Sequence, residues 1–319
     1  MSSSPLDLDL LWVTGKGGVG KTSIAAAIAE VAARTGRRTL VCEMDAKGAL
    51  AMAFDIGELQ FEPTEVAENL FAMTMSTEDS LREYLRLFVR IPLIGRIGPL
   101  ARTFDFVADA APGVKEILAV GKLCWEVRES HYDLVVVDAE ASGHIVSQIG
   151  APKVIRDLVQ VGLVREQTQW MLDILNDADR TGVAIVTTPE EMPVTETIDL
   201  LDRLHGETGA HAHTVIANRV LPVLFDRREQ RVADRLGDAV PLLVDAAGPD
   251  VTTVLDAATL TEARRRTGAA HLDRVRDALA GSEELSEVST ITVPELFARA
   301  PGPRVVSLIA DTLAEELDA

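Results

Sequence analysis

The chain has 319 residues, with 50 acidic against 31 basic side chains, a net charge of −19, and 47% hydrophobic residues. That is enough apolar chain to bury a core without disulfide or metal staples. It is too acidic for a protein held by charge to nucleic acid or to anionic lipid. No apolar run reaches the ~18 residues of a bilayer span, and residues 1–10 lack the basic region that opens a secretory leader. The two cysteines, Cys42 and Cys124, are far apart and form no C-x-x-C. Two reduced, buried thiols and a cytoplasmic location are therefore expected. Lysine is scarce, six residues with none after Lys153, which reads as coding bias in a GC-rich bacterial genome.

Taken in order, strands are expected at residues 10–13, 39–43, 70–75, 134–138, 183–187, 214–218 and 288–293. Helical patterns are expected at 21–34, 115–128, 166–178, 196–205, 261–279 and 303–317. Most of the strands are apolar on both faces, as strands covered by helices on both sides must be. Alternation of strand and helix predicts an α/β fold, a doubly wound, mainly parallel sheet of about seven strands. One domain over 1–319 is expected. A helical subdomain at about 77–130 is read as an insertion on the sheet. Residues 226–255 resist assignment.

The strongest motif follows the first strand. Gly15-Lys16-Gly17-Gly18-Val19-Gly20-Lys21-Thr22 satisfies G-x-x-x-x-G-K-[ST], and an Ala-rich helix starts at its end, with Ser23 in its first turn. Glycines let successive backbone N–H groups face a polyphosphate, and the helix N-terminus adds partial positive charge. Lys21 then reaches the β- and γ-phosphates, and the Thr22 hydroxyl ligates Mg²⁺. Asp138 ends an apolar strand, where a P-loop fold places the carboxylate that holds Mg²⁺. Asn218 can offer a donor and an acceptor to adenine. With Leu221 where a guanine-reading Asp would stand, ATP is favoured over GTP.

These segments together resemble the ArsA-type ATPases, which include arsenite-pump ATPases, the tail-anchored-protein targeting ATPase and compact bacterial, actinobacterial relatives. The string from Lys16 to Thr22 is similar to their deviant Walker A, which implies face-to-face dimers in which Lys16 reaches the partner's phosphates. Asp138, Gly143 and His144 match the second switch, with Ser142 for Thr and with Glu140 and Ala141 departing from it. Asp45 matches the first switch, whereas Ala46, Lys47 and Gly48 do not; the resemblance implies that Asp45 orients the attacking water, and a plain helix cap is the alternative. Residues 215–222, with Asn218 and Arg219, resemble the adenine segment. Pro294 matches the proline that opens an adenine-wrapping loop, where Leu296 and Phe297 pack either on the base or on the core. Residues 111–117 are similar to a helix start of the family.

The resemblance implies an ATP- and Mg²⁺-dependent dimeric switch with Asp45, Lys16 and Lys21 in catalysis. Its partner would be a second copy or a paralogous ATPase, and its client a hydrophobic or membrane protein. The alternative is a non-catalytic nucleotide-binding subunit of a heteromer. A DNA- or membrane-bound partition ATPase is disfavoured, because the tail from Val305 carries Asp311, Glu315, Glu316 and Asp318 and no base. Five arginines at 82, 86, 90, 96 and 102 form a locally basic stretch, with the first three on one helix stripe.

Overall fold

A computed structural model describes residues 4–89, 113–158, 162–297 and 302–317. Among these, eight strands form one sheet: β1 (Leu10–Gly15), β2 (Thr39–Glu43), β3 (Thr64–Ala67), β4 (Leu70–Thr74), β5 (Leu134–Ala141), β6 (Thr181–Thr187), β7 (Ala212–Val220) and β8 (Ser289–Pro294). The order is β3-β4-β2-β5-β1-β6-β7-β8, parallel throughout except for the antiparallel β3–β4 edge. The expected sheet thus gains one strand. β3 is short and mostly exposed, so it lacks the apolar run that marks a buried strand.

Helices cover both faces. On one lie α1 (Lys21–Arg34), α2 (Ala49–Phe54) and α10 (Pro303–Glu316). Their buried side chains, Ile24, Ile28, Leu50, Ile309 and Leu313 among them, pack with Leu11, Val13, Val41 and Val136 of the sheet. The acidic C-terminal helix is therefore part of the core, with Asp311 taking a 2.7 Å hydrogen bond from Arg34 of α1.

The other face carries α3 (Thr77–Tyr84), α4 (Val114–Arg128), α5 (Ser142–Leu158), α6 (Leu163–Leu175), α7 (Glu191–Thr208) and, after α8 (Arg227–Ala247), α9 (Asp250–Ala280), against which α8 packs. Its core joins Leu10, Trp12, Val135 and Val137 to Leu123, Ile149, Leu175, Leu204 and Val275. The unassigned region 226–255 is mostly helix. Asp226 and Glu229 form a reciprocal capping box that starts α8.

α3 runs directly into a π-helical turn, Leu85–Val89. Arg82 and Arg86 line one hollow beside Gln60 and Pro63, so these two keep a common side. Arg82 pairs with Glu78 and, at 2.9 Å, with Asp79 of its own helix. Arg90, Arg96 and Arg102 lie outside the described residues, as do 111 and 112 of the expected helix start. No helix among the described residues is long and apolar enough to cross a membrane. Burial raises both free thiols, Cys124 to about 12.

Candidate nucleotide site

β1 is central, and the chain leaves it toward β2 on one side before returning to β6 on the other. Ligands of open α/β sheets sit at the carboxyl ends of strands around such a switch point. The residues selected from the sequence for a nucleotide site fall there. The phosphate loop ends β1, Asp45 follows β2, Asp138 lies near the end of β5, Asn218 and Arg219 are in the last turn of β7, and Pro294 ends β8.

Two glycines of the loop are required by contact. At Gly15, φ is +150° and a Cβ would stand 2.1 Å from the Val186 carbonyl oxygen of β6. At Gly20, φ is +95° and a Cβ would stand 2.5 Å from Nδ2 of Asn218. That close approach has a purpose. Asn218 Nδ2 donates to the Val19 carbonyl at 2.8 Å, while its Oδ1 accepts from Arg219 N at 2.9 Å. The amide therefore braces the phosphate loop with one N–H and keeps a second N–H and a second lone pair for another partner. Arg219 (φ 57°) and Phe297 (φ 50°) are both in left-handed conformations, and Phe297 is 69% exposed. Leu296, by contrast, packs on the core.

Lys21, the second residue of interest, is half buried and lies near the Lys16 carbonyl oxygen, 3.5 Å from its Nζ. Burial lowers its pKa, opposed by the charge of Asp138. Thr22 Oγ1 donates to Asp138 Oδ2 at 2.6 Å. Asp138 is 6% exposed, and its carboxyl is pushed up to about 6, chiefly by burial, with Glu43 and Asp45 adding repulsion against the Thr22 hydrogen bond and Lys21. Its Oδ1 is buried with no hydrogen-bond partner among the described residues. A hydroxyl and an ionisable carboxylate, with one carboxylate oxygen bare, are the hard oxygen donors that Mg²⁺ takes beside phosphates.

Lys16 does not point away from its own chain. Its ammonium pairs with Glu196 of α7, and Glu196 also accepts from Ser142 Oγ at 2.8 Å. Asp45 is half exposed and pairs with Lys47, on a loop turned by Ala46 (φ 39°) and Gly48 (φ 73°).

The segment that resembles the second switch is a strand running straight into a helix. β5 continues to Ala141 and α5 begins at Ser142, so Gly143 and His144 form the first turn of a helix. Glu140 accepts from Gln148 Nε2 at 3.1 Å, and its backbone oxygen accepts from Thr14 Oγ1 at 3.0 Å. Two residues not singled out from the sequence, Glu196 and Glu43, touch this site. Separately, an apolar cavity of about 250 Å³ lies under α3, α4 and α6, lined by Leu81, Tyr84, Ile117, Trp125 and Met171.

A parallel sheet with a glycine-rich loop leading into a helix, and a strand-end Asp bonded to the helix-start Thr, defines a P-loop nucleotide-binding protein. The family described as Anion-transporting ATPase matches residues 8–171 and 153–235, and the chain belongs to this ArsA-type family. ATPase BagA of Mycobacterium tuberculosis H37Rv is 30% identical over 228 residues, 68% of this chain and 66% of that protein. A Halobacterium salinarum protein provisionally named an arsenical pump-driving ATPase is 27% identical over 254 residues, 71% of this chain and 38% of its own length. ATPase ASNA1 homolog 1 of Paramecium tetraurelia is 28% identical over 153 residues, 46% of this chain and 44% of its own.

Proposed function

We propose that this chain binds Mg·ATP at the phosphate loop and hydrolyses it as a dimeric switch that couples nucleotide state to a client or partner protein. The observation that carries this is the Thr22–Asp138 hydrogen bond beside the half-buried Lys21, at the carboxyl edge of the sheet. Gly15 through Thr22, with Ser23, cradle the phosphates; Lys21 neutralises the β- and γ-groups. Thr22 and Asp138 would hold Mg²⁺, which would offset charge on the departing phosphoryl group. Asp45 leaves Lys47 to orient the attacking water. The free N–H and lone pair of Asn218 read adenine, with Arg219, Pro294 and Phe297 around the base.

In the dimer, formed by two copies or with a paralogous ATPase, Lys16 leaves Glu196 for the partner's phosphates. The apolar cavity favours a hydrophobic client, and the reduced thiols a cytoplasmic setting. A second reading, a non-catalytic nucleotide-binding subunit, is favoured by the Asp45–Lys47 pair, which occupies the carboxylate needed for catalysis.

Titration with ATP and GTP in Mg²⁺, followed by single-turnover hydrolysis, tests both. Lys21→Ala should abolish binding, and ATP should bind more tightly than GTP. Asp45→Asn should keep the ATP affinity and lose the hydrolysis rate, since an orienting contact matters most as the phosphoryl group leaves. Wild-type binding without any turnover selects the second reading.

A further inference from the structure

Glu43 is only 3% exposed, which is costly for a carboxylate unless its oxygens are served. It ends β2 directly opposite Asp138 of β5, so both side chains leave the sheet toward α1, as Val41 and Val136 do two residues earlier. Neighbouring strands are ~4.8 Å apart, so these are two carboxylates side by side.

The two oxygens of Glu43 have different surroundings. Oε1 accepts from Lys47 N at 3.2 Å and Ala49 N at 3.0 Å. These bonds close the turn that carries Asp45 and cap α2, whose N-cap, Gly48, has no side chain to do so. Oε2 is buried without a hydrogen-bond partner among the described residues, as is Oδ1 of Asp138. Among the described residues no cation pairs with Glu43. Two adjacent buried carboxylates with one bare oxygen each repel one another unless a cation or its water lies between them.

We propose that Glu43 is a second carboxylate of the divalent-cation site and ties occupancy of that site to the loop that carries Asp45. This rests on reading the phosphate loop as a Mg·nucleotide site. Mg²⁺ uses one or two carboxylates together with phosphates and retained waters, so Glu43 and Asp138 suffice without a full protein cage. Because Oε1 and Oε2 belong to one rigid group, a cation drawing on Oε2 fixes Oε1, and with it the Lys47 and Ala49 amides on either side of Gly48.

The test uses Mn²⁺ with a non-hydrolysable ATP analogue, reading free Mn²⁺ by electron paramagnetic resonance and amide exchange over residues 44–49. Glu43→Gln keeps the shape and an accepting oxygen but loses the charge. It should bind Mn²⁺ at least tenfold more weakly, the range found for groups supporting a metal site. At saturating Mn²⁺ it should lack the slowing of exchange that the metal produces in wild type. A Mn²⁺ affinity within twofold of wild type, or undiminished slowing in the variant, overturns the proposal. Failure of the wild type itself to bind Mn²⁺ with the analogue would instead overturn the nucleotide-site reading.

Discussion

Lys16 and Glu196 form an ion pair between the phosphate loop and α7, and Glu196 at the same time holds the Ser142 hydroxyl at the start of α5. The hydrogen bond from Lys16 keeps the Glu196 carboxyl below its ordinary value, with Ser142 adding to the effect. One carboxylate thus joins the loop, the second switch and a helix of the opposite half of the sheet. In the proposed dimer, Lys16 must first leave this pair to reach the partner's phosphates. Glu196→Gln should therefore tighten ATP-dependent association about two- to fivefold, the scale of a partly exposed ion pair. Light scattering against ATP concentration checks this, and weaker association would show that Glu196 is needed in the closed state.

The acid titration of Asp138 has an unusual sign. Its carboxyl titrates at about 6 in the folded protein against an ordinary 3.8. The groups facing it are Thr22 and Lys21 of α1, Glu43 of β2 and Asp45. Between those two values the native state holds a proton that the unfolded chain has released, so this group makes the metal-free fold less stable as pH rises from about 4 to about 6. The full effect is roughly 3 kcal/mol. Urea denaturation of wild type and Asp138→Asn in chelator, from pH 4.5 to 7.5, isolates it: the variant should gain on the wild type as pH rises. A constant difference would show that Asp138 is not held protonated.

Among the described residues Lys122 of α4 is the best-buried cation of the helical face, with a side chain 6% exposed between Glu83 at 2.9 Å and Glu126 at 2.6 Å. The Phe61 ring lies 5.0 Å from its Nζ. Removing the ammonium leaves Glu126, also 6% exposed, without its ion pair except for His131. Lys122→Ala should cost about 3–5 kcal/mol, whereas Lys122→Met with Glu126→Gln should recover much of it. Thermal unfolding of both variants checks the pair.

Gly20→Ala combines a left-handed φ with a contact to Asn218, so it should lower stability by at least about 1–2 kcal/mol from backbone strain alone. It should also displace the loop and weaken nucleotide binding. Combining it with Asn218→Ala removes the contact but keeps the strain. If the double variant melts no higher than Gly20→Ala, the clash is not what limits that position.

The phosphate loop was legible because phosphate chemistry dictates its residue types and spacing. The strands were legible because burial on both faces leaves runs such as Val135–Val136–Val137, and α1 because its alanines are good helix formers. α5 was hidden by Gly143, Gly150 and the interior Pro152, which the packed sheet overrides. α2 and β3, six and four residues long, carry too little pattern to stand out. The start of α8 did have a signal, the Asp226…Glu229 capping box, that could have assigned it. Glu196 could not be found from spacing, since its partner Lys16 is brought to it only by the sheet order. Glu43, one apolar residue from Asp45, reads as a loop flank until its register with Asp138 is known.

The junction at Ala141–Ser142 has a mechanical consequence. Because β5 passes into α5 without a loop, the helix is a lever whose pivot lies three to four residues from Asp138. Ile155, near its far end, lines the apolar cavity, and at 1.5 Å per residue it stands roughly 20 Å from Ser142. A rigid tilt of about 5° at the pivot would carry Ile155 through about 2 Å, the radius of a methyl group, so only a small rotation would be needed to alter the wall of that cavity.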